Sequence, residues 1–331
     1  MLTEKETGME LTRRSFIVAG GTAVAAGAVA ASGVARADEA AEDGVADEAE
    51  AAADEETAAV WPNNGAILGT TPDWLGVEPE ITDDEIVATY DTDILVIGCG
   101  TGGMFAVAAA AEEGANVIGI DRLPTGVGIR DDLGAANSRY QQKWGTQIDK
   151  FDYITMATQY AAGHINQALV ALWYDESGEA IDWYGDRLAE RGVELWHEAG
   201  DDDEGDRYKH YATGHSPRWT GSDDGNGGTL DGNKVLYDYA VEKGAQFDYS
   251  TQMVKLVKED GRVTGCIATN PDGDYVRYNA AKGVVVCTGG YSLNYDMMEA
   301  MQPWNLRIIG GNWSEPGAFG DGIKACLWAG A

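Results

Sequence analysis

Three glycines and one aspartate stand at spacings that suit the binding of a phosphate-containing ligand. Gly98, Gly100 and Gly103 form the pattern G-x-G-x-x-G, and Asp121 follows further along the chain. In such a pattern the first glycine permits a tight turn, the second lets the backbone approach a pyrophosphate, and the third lets a helix pack against a strand. A helix that begins here would direct free N–H groups at the phosphates, and the Asp121 carboxylate could accept hydrogen bonds from ribose hydroxyls.

The segments around these glycines predict the elements that must position them. Residues 94–97 are apolar and β-branched, as in a buried parallel strand, and residues 104–113 are rich in alanine, which favours helix. Gly114 ends that helix, and residues 116–120 form a second strand that stops at Asp121. This complete βαβ context favours a dinucleotide site over a glycine-rich turn in an unrelated βαβ unit.

The composition limits the classes of partner. The chain has 331 residues, enough for one large or two ordinary domains, and a formal net charge of −32. Such an acidic balance disfavours nucleic acids and anionic membrane surfaces as partners. The sequence holds neither a C-x-x-C pair nor a C-x-x-C-H haem motif, and no metal site is expected. We interpret the cysteines as small buried apolar side chains: Cys99, Cys266, Cys287 and Cys326.

The N-terminus is typical of a twin-arginine export signal. Residues 12–17 read T-R-R-S-F-I, an apolar stretch rich in alanine and glycine extends to about residue 34, and residues 35–37 form an A-x-A cleavage site. The short, glycine-containing stretch favours a cleaved signal peptide over a membrane anchor. We therefore predict a signal peptide over residues 1–37. We also expect export to the periplasm or another extracytoplasmic face, without stable membrane insertion after cleavage.

The rest of the chain divides by composition into a linker, an arm and one folded domain. Residues 38–60 are predicted to be an acidic disordered linker, because this stretch is too poor in apolar side chains to offset its ordering entropy. Residues 61–88 form an irregular arm with several prolines, and residues 89–331 form the domain. The predicted helices cover residues 149–162, 166–191, 231–243 and 323–329, and residues 213–228 are predicted to be a loop. The predicted strands, mostly in a β-meander, cover residues 246–249, 253–258, 263–269, 274–278 and 284–287.

This order of elements disfavours an NAD-dependent dehydrogenase, whose second strand would be followed by more βαβ units. Instead the chain resembles the FAD-dependent fumarate reductase/succinate dehydrogenase flavoprotein family, in particular its soluble, exported flavocytochrome-c-like and urocanate-reductase-like members. The resemblance covers about residues 89–331. It is carried by D-I-L-V-I-G-C-G-T-G-G, V-V-V-C-T-G-G-Y-S-L-N-Y-D-M-M and P-G-A-F-G-D-G-I-K-A-C-L-W-A-G-A. It implies an α/β fold: an FAD/NAD(P)-binding Rossmann-like three-layer domain with a helical insertion and a β-meander, incomplete at its C-terminus.

The resemblance also implies FAD as cofactor and assigns residues to it. Those near the pyrophosphate and adenosine would be Gly98, Gly100, Thr101, Gly102, Gly103, Asp121, Arg122 and, through its backbone, Met253. Those near the flavin and along the cofactor cleft would be Ile129, Arg130, Gly134, Ala135, Thr288, Gly289, Gly290 and Asp321. Ile129, Arg130 and Ala135 depart from the family pattern, which leaves the substrate class more open than FAD binding.

Members of this family continue past the G-D-G helix into a capping domain that carries the catalytic side chains. This chain reaches only Ala331, so we expect it to be an N-terminal portion without catalytic residues. His164, His197, His210 and His215 match no family motif and are interpreted as surface or structural residues.

Three functional hypotheses follow. The first is reduction of an activated C=C bond in a fumarate-like or enoate-like small-molecule acceptor during anaerobic respiration. Because no haem motif is present, electrons would come from a separate donor, a cytochrome or a quinol-linked protein. The second is a non-catalytic flavin-binding fragment. The third, which the order of elements disfavours, is a complete NAD-binding dehydrogenase.

Overall fold

The computed structural model of the protein describes residues 73–126, 133–197, 209–219, 232–309 and 317–331. The predicted signal peptide and linker, residues 61–72 of the predicted arm, and the predicted site residues Ile129 and Arg130 lie outside these ranges. The predictions for these residues remain predictions.

The described residues form strands and helices that often follow one another in runs of the same kind. The strands are β1 (Ile86–Ile97), β2 (Val117–Ile120), β3 (Leu133–Gly134), β4 (Val193–His197), β5 (Gly214–Trp219), β6 (Gln246–Asp248), β7 (Gln252–Glu259), β8 (Arg262–Thr269) and β9 (Tyr275–Val286). The helices are α1 (Thr101–Glu112), α2 (Arg139–Trp144), α3 (Lys150–Tyr160), α4 (Gln167–Ala189), α5 (Gly232–Glu242), α6 (Tyr295–Met301), α7 (Pro303–Ile309) and α8 (Asp321–Trp328). Across the described ranges, no helix combines the length and the apolar character needed to cross a membrane.

One six-stranded sheet organises the molecule, in the order β6-β2-β1-β9-β8-β7. Strands β6, β2, β1 and β9 are parallel to one another. Strands β9, β8 and β7 form an antiparallel meander. The predicted α/β architecture with a parallel core and a meander is therefore confirmed. The prediction that residues 246–249 belong to the meander is wrong, because β6 pairs in parallel with β2 at the opposite edge.

Strand β9 joins two strands that the sequence predicted as separate. The polar character of residues 279–283 predicts a break between the strands at 274–278 and 284–287. The structure instead has β9 running unbroken and pairing with β1 along its length. Polar side chains in the stretch find partners on β1. Asn279 donates to Asp91 at 2.9 Å, and Lys282 forms an ion pair with Asp93 at 3.2 Å. A register shift in β1 between Thr92 and Ile94 adjusts the pairing to this stretch.

A second, three-stranded antiparallel sheet has the order β3-β5-β4. The prediction of a loop over residues 213–228 is wrong for β5, which occupies Gly214–Trp219. That prediction rested on the Gly, Ser and Asp content of the stretch. Pro217 within β5 is also unusual, because proline lacks the N–H that a central strand needs. It is tolerated because β3 pairs only with the first two residues of β5. The alternation of apolar Val193 and Leu195 with charged Glu194 is the sequence signal for β4, and the structure shows the matching alternation of burial.

The two faces of the large sheet carry separate apolar cores. Along β1, Val96 lies in a cluster with α1, α4 and α5, while Leu95 and Ile97 lie in a cluster with the meander strands and α8. This division follows from the two-residue period of a strand, which sends successive side chains to opposite faces. The layers on both faces hold the carboxyl ends of the parallel strands in fixed positions.

Candidate dinucleotide site at the carboxyl edge of the sheet

The predicted phosphate-binding residues come together where three neighbouring parallel strands end. Strands β2, β1 and β9 are adjacent, and their last residues are followed by Asp121, Gly98 and Cys287 respectively. The backbone confirms this proximity, because the N–H of Gly98 donates to Ile120 at 2.8 Å and that of Cys287 donates to Ile97 at 2.7 Å. Open α/β sheets bind ligands at this edge, outside the carboxyl ends of their strands.

Two glycines of the motif are required by close backbone contacts. Gly98 adopts a φ of +92°, a left-handed conformation, and a Cβ atom there would overlap the carbonyl oxygen of Cys287. A Cβ atom at Gly103 would overlap the carbonyl oxygen of Gly98, so this glycine lets α1 pack directly on the turn. These contacts match the roles predicted for the first and third glycines.

The start of α1 can hold a pyrophosphate. Gly100 is its N-cap and supplies no capping side chain, and the first N–H that donates within the helix is that of Met104, to Gly100 at 2.9 Å. The N–H groups of residues 101–103 precede that bond and have no acceptor within the helix. A helix start without a capping side chain, in a turn with glycine at residues 98, 100, 102 and 103, fits an anionic ligand.

Asp121 has a second role that the sequence did not reveal. One of its carboxylate oxygens accepts a hydrogen bond from the N–H of Cys99 at 2.6 Å, and the other accepts from the N–H of Leu123 at 2.8 Å. The carboxylate therefore holds the glycine turn in place. Each oxygen keeps a further lone pair, so Asp121 could still accept a hydrogen bond from a ribose hydroxyl.

Arg122 and Asp321, both predicted at the site, contact each other directly. The guanidinium lies 2.7 Å from the carboxylate, donates to Gln252 at 3.2 Å and stacks over the ring of Phe319. Burial raises the pKa of the Asp321 carboxyl, and the positive charge of Arg122 partly opposes this rise. Met253, predicted to meet the adenine through its backbone, follows Gln252 on β7, and its side chain is buried.

The turn after β9 packs against the start of α8. A Cβ atom at Gly322 would overlap the hydroxyl oxygen of Thr288, and the N–H of Gly320 donates to Gly290 at 3.1 Å. Gly289 is exposed in a left-handed conformation with φ +74°. The structure thus brings the Thr288–Gly290 turn next to Asp321 and to the glycine turn after β1.

The predicted flavin-facing pair, Gly134 and Ala135, divides between surface and core. Ala135 is fully buried in the same apolar cluster as Cys99 and Met104. A side chain in that position has no surface for a ligand. Gly134 is exposed at the end of β3, so within this pair only Gly134 offers a surface to a flavin. Asn137, which the sequence did not indicate, is also exposed on this loop, with φ +64°.

The remaining cysteine and histidine side chains have structural surroundings. Cys99 and Cys266 are fully buried, and burial raises the pKa of each thiol. His197 and His215 are buried and hydrogen-bonded to Thr146 and Ser138, which agrees with their interpretation as structural residues. Within the described segments, no three His, Cys, Asp or Glu side chains gather in a way that could hold a metal ion.

Comparison with known proteins relates this geometry to proteins of known activity. The chain is 28% identical to a fumarate reductase (cytochrome) of Shewanella frigidimarina over 249 residues, which cover 73% of this chain and 41% of that protein. It is 26% identical to a vinyl phenol reductase of Lactiplantibacillus plantarum, over 74% of this chain and 47% of that protein. The chain therefore spans less than half the length of these relatives.

A solved structure shows the same fold. The open conformation of a flavocytochrome c3 fumarate reductase superimposes with a TM-score of 0.58 at 24% identity, over 79% of this chain and 45% of that chain. The family described as FAD binding domain matches residues 93–331, which include the glycine turn, Asp121 and α8. The resemblance to the fumarate reductase flavoproteins is confirmed: the chain belongs to the FAD binding domain family, and its cofactor is FAD.

Proposed function

We propose that this chain is the FAD-binding part of a flavin-dependent reductase that acts on an activated C=C bond, such as that of a fumarate-like or enoate-like acceptor. The observation that carries the proposal is the convergence of the glycine turn, the uncapped start of α1 and Asp121 at one edge of the sheet. The relatives support the choice of acceptor, because fumarate and vinyl phenol both contain a C=C bond. A separate protein, a cytochrome or a quinol-linked donor, would supply the electrons.

Each part of the site would have a distinct task. The N–H groups of residues 101–103 would bind the pyrophosphate, and Asp121 would bind the adenosine ribose while holding the turn. The ion pair between Arg122 and Asp321 would fix the start of α8 against the cofactor cleft. FAD, when bound, would supply the hydride chemistry, and the chain would supply orientation and electrostatics.

A matched pair of substitutions tests the FAD site. Asp121→Ala removes the acceptor of the Cys99 N–H and the proposed ribose partner. Asp93→Ala is the control, because Asp93 accepts a hydrogen bond from the N–H of Asn116 at 3.0 Å, just before β2 begins and away from its carboxyl end. Titration of the full chain with FAD should show binding by the wild type and by Asp93→Ala. Asp121→Ala should bind at least about tenfold more weakly, because the proposed ribose contact is lost together with the hydrogen bonds from the N–H groups of Cys99 and Leu123 that hold the turn.

Two outcomes of this titration would overturn the proposal. A wild-type chain that binds no FAD would contradict it at once. Equal weakening by Asp93→Ala and Asp121→Ala would show that the loss comes from general destabilisation of the strands rather than from the site. Thermal melting of both variants without FAD would identify that case.

The second candidate function is a flavin-binding module without catalysis of its own. The histidines support it, because none of His164, His197, His210 and His215 matches a catalytic motif of the family. To distinguish the two, FAD bound to the full chain is reduced anaerobically and mixed with fumarate or a vinyl phenol. Reoxidation of the flavin by the acceptor supports the reductase, whereas a flavin that stays reduced supports the module.

We also propose that the protein is exported by the twin-arginine route. The support is the T-R-R-S-F-I sequence followed by an apolar stretch and an A-x-A site, all outside the described residues. Replacing Arg13 and Arg14 together by lysine should leave the unprocessed protein in the cytoplasm. Cell fractionation measures where the protein is located, and the mass of the purified protein shows whether the signal peptide has been removed. Processing that is unchanged in this double variant would contradict the twin-arginine route.

A further inference from the structure

The segment of residues 133–138, which comprises β3 and the loop after it, has backbone polar groups that are held by the protein. The N–H of Ala135 donates to Thr213 at 2.9 Å, and the carbonyl of Ala135 accepts from the side-chain amide of Gln141 at 2.9 Å. The N–H of Ala136 donates to the hydroxyl of Ser177 at 3.0 Å. These bonds turn the middle of the loop towards the core.

Gln141 is the centre of this arrangement. Its side chain is almost completely buried, and its second amide N–H donates to the carbonyl of Ala212 at 2.8 Å. Its amide oxygen accepts from the N–H of Ser138 at 3.1 Å. All the polar groups of this amide therefore have partners, and they join the loop to the segment that leads into β5.

Ser138 and His215 extend the network on the other side of the loop. The Ser138 oxygen accepts from the N–H of Gln141 at 3.1 Å and lies 2.7 Å from Nε2 of His215. Nδ1 of His215 lies 2.8 Å from the carbonyl oxygen of Thr213. A carbonyl can only accept, so Nδ1 carries the proton and the Ser138 hydroxyl donates to Nε2.

The network determines which parts of the loop face outwards. Ala135 and Ala136 are fully buried, whereas Gly134 and Asn137 are exposed. Gly178 of α4 reinforces this arrangement, because a Cβ atom there would overlap the carbonyl oxygen of Ala136. The loop thus exposes one residue without a side chain and one short polar side chain.

We propose that Gln141 is a positioning residue that holds residues 133–138 so that Gly134 and Asn137 face the flavin ring. Gln141 itself does not touch the flavin. This inference rests on the proposed function, since it requires FAD to lie along this loop. It goes beyond that function by assigning a buried side chain of α2, outside the dinucleotide motif, to the placement of the flavin-facing surface.

The first experiment needs no flavin. Hydrogen exchange of the full chain is compared between the wild type and Gln141→Met, which keeps the side-chain length but removes all three hydrogen bonds. Exchange at Ser138, whose N–H loses its acceptor, and at Ala135 and Ala136 should become about tenfold faster, since the carbonyls of Ala135 and Ala212 also lose their donor and the loop is held less firmly. Gln159→Met, the same change at an exposed position of α3, should leave these rates unchanged. Unchanged rates in Gln141→Met would overturn the proposal.

The second experiment tests the effect on the flavin. With FAD in excess, Gln141→Met should shift the visible absorption spectrum and the reduction potential of the bound flavin, whereas Gln159→Met should shift neither. Ser177→Ala removes only the acceptor of the Ala136 N–H, so it should shift the spectrum and the potential in the same direction but less. This variant replaces Gln141→Met in the experiment if Gln141→Met does not fold.

The outcomes separate this inference from the proposed function. FAD bound by the variants with unaltered spectrum and potential would overturn the positioning role and leave the proposed function intact. A wild-type chain that binds no FAD would overturn both.

Discussion

Arg122 and Asp321 form an ion pair of 2.7 Å although 199 residues separate them in the sequence. The pair joins the residue after Asp121, at the end of β2, to the first residue of α8. Gln252 at the start of β7 and the ring of Phe319 complete the surroundings of the guanidinium. The end of the central sheet and the last helix are therefore connected directly beside the cofactor edge.

A double-mutant cycle should detect this connection. Arg122→Met and Asp321→Asn should each reduce the free energy of unfolding, with a coupling of about 1 kcal/mol or less, because both side chains are about one quarter exposed. Urea unfolding of the two single variants and the double variant measures it. The control cycle uses Lys234→Gln and Asp238→Asn, an exposed pair within α5 that should couple more weakly. Equal coupling in the two cycles would contradict a special role for Arg122.

Gly103 should be among the glycines least tolerant of substitution. Gly103→Ala places a Cβ atom against the carbonyl oxygen of Gly98, so the turn and α1 must move apart. We expect a loss of about 1–3 kcal/mol in the free energy of unfolding, together with loss of FAD binding. Gly283→Ala is the matched control in β9, where a new Cβ atom would meet nothing within 4 Å. A stable Gly103→Ala protein that still binds FAD would show that this close approach is not required.

Glu112 should anchor α1 to α4. Its carboxylate accepts from the indole N–H of Trp183 at 2.6 Å and from the guanidinium of Arg187 at 2.5 Å. Glu112→Ala leaves both donors without this partner and should cost about 2 kcal/mol. Glu112→Gln, which keeps an acceptor for the indole, should cost less. Glu113→Ala, at the exposed neighbouring position, should have little effect in the same denaturation assay. A similar loss at both positions would argue against the anchor.

Stability should fall in alkaline solution because the pKa of the Cys287 thiol is raised in the folded protein. Burial raises the pKa of the Cys287 thiol from its ordinary value of 9.0 to about 11. Because this pKa is higher in the folded state than in the unfolded state, the protonated thiol contributes to the free energy of unfolding. That contribution is complete below pH 9 and is lost as the pH rises towards 11. Between pH 8 and pH 10.5, the wild type should lose at most about 2 kcal/mol more than Cys287→Ala in urea unfolding. Identical losses in both proteins would contradict burial of this thiol.

The local parts of this protein were predictable from its sequence. Strand β2, helices α1, α4 and α5, and the glycine turn follow from short-range patterns: apolar runs, alanine-rich spacing and glycines at fixed separations. Each of these elements depends only on residues close to one another in the chain, so the amino-acid order is enough to predict it. The family resemblance added FAD and the choice of Asp321.

The tertiary structure decided what depends on distant pairing. The unbroken path of β9 required β1 beside it, because Asp91 and Asp93 supply the partners of Asn279 and Lys282. The burial of Ala135 depended on α2 and β5. Similarly, the ion pair of Arg122 with Asp321 exists only because the sheet brings β2 and α8 together. A hydrogen bond between residues far apart leaves no periodic trace in the sequence, and only the folded chain establishes the distance between them.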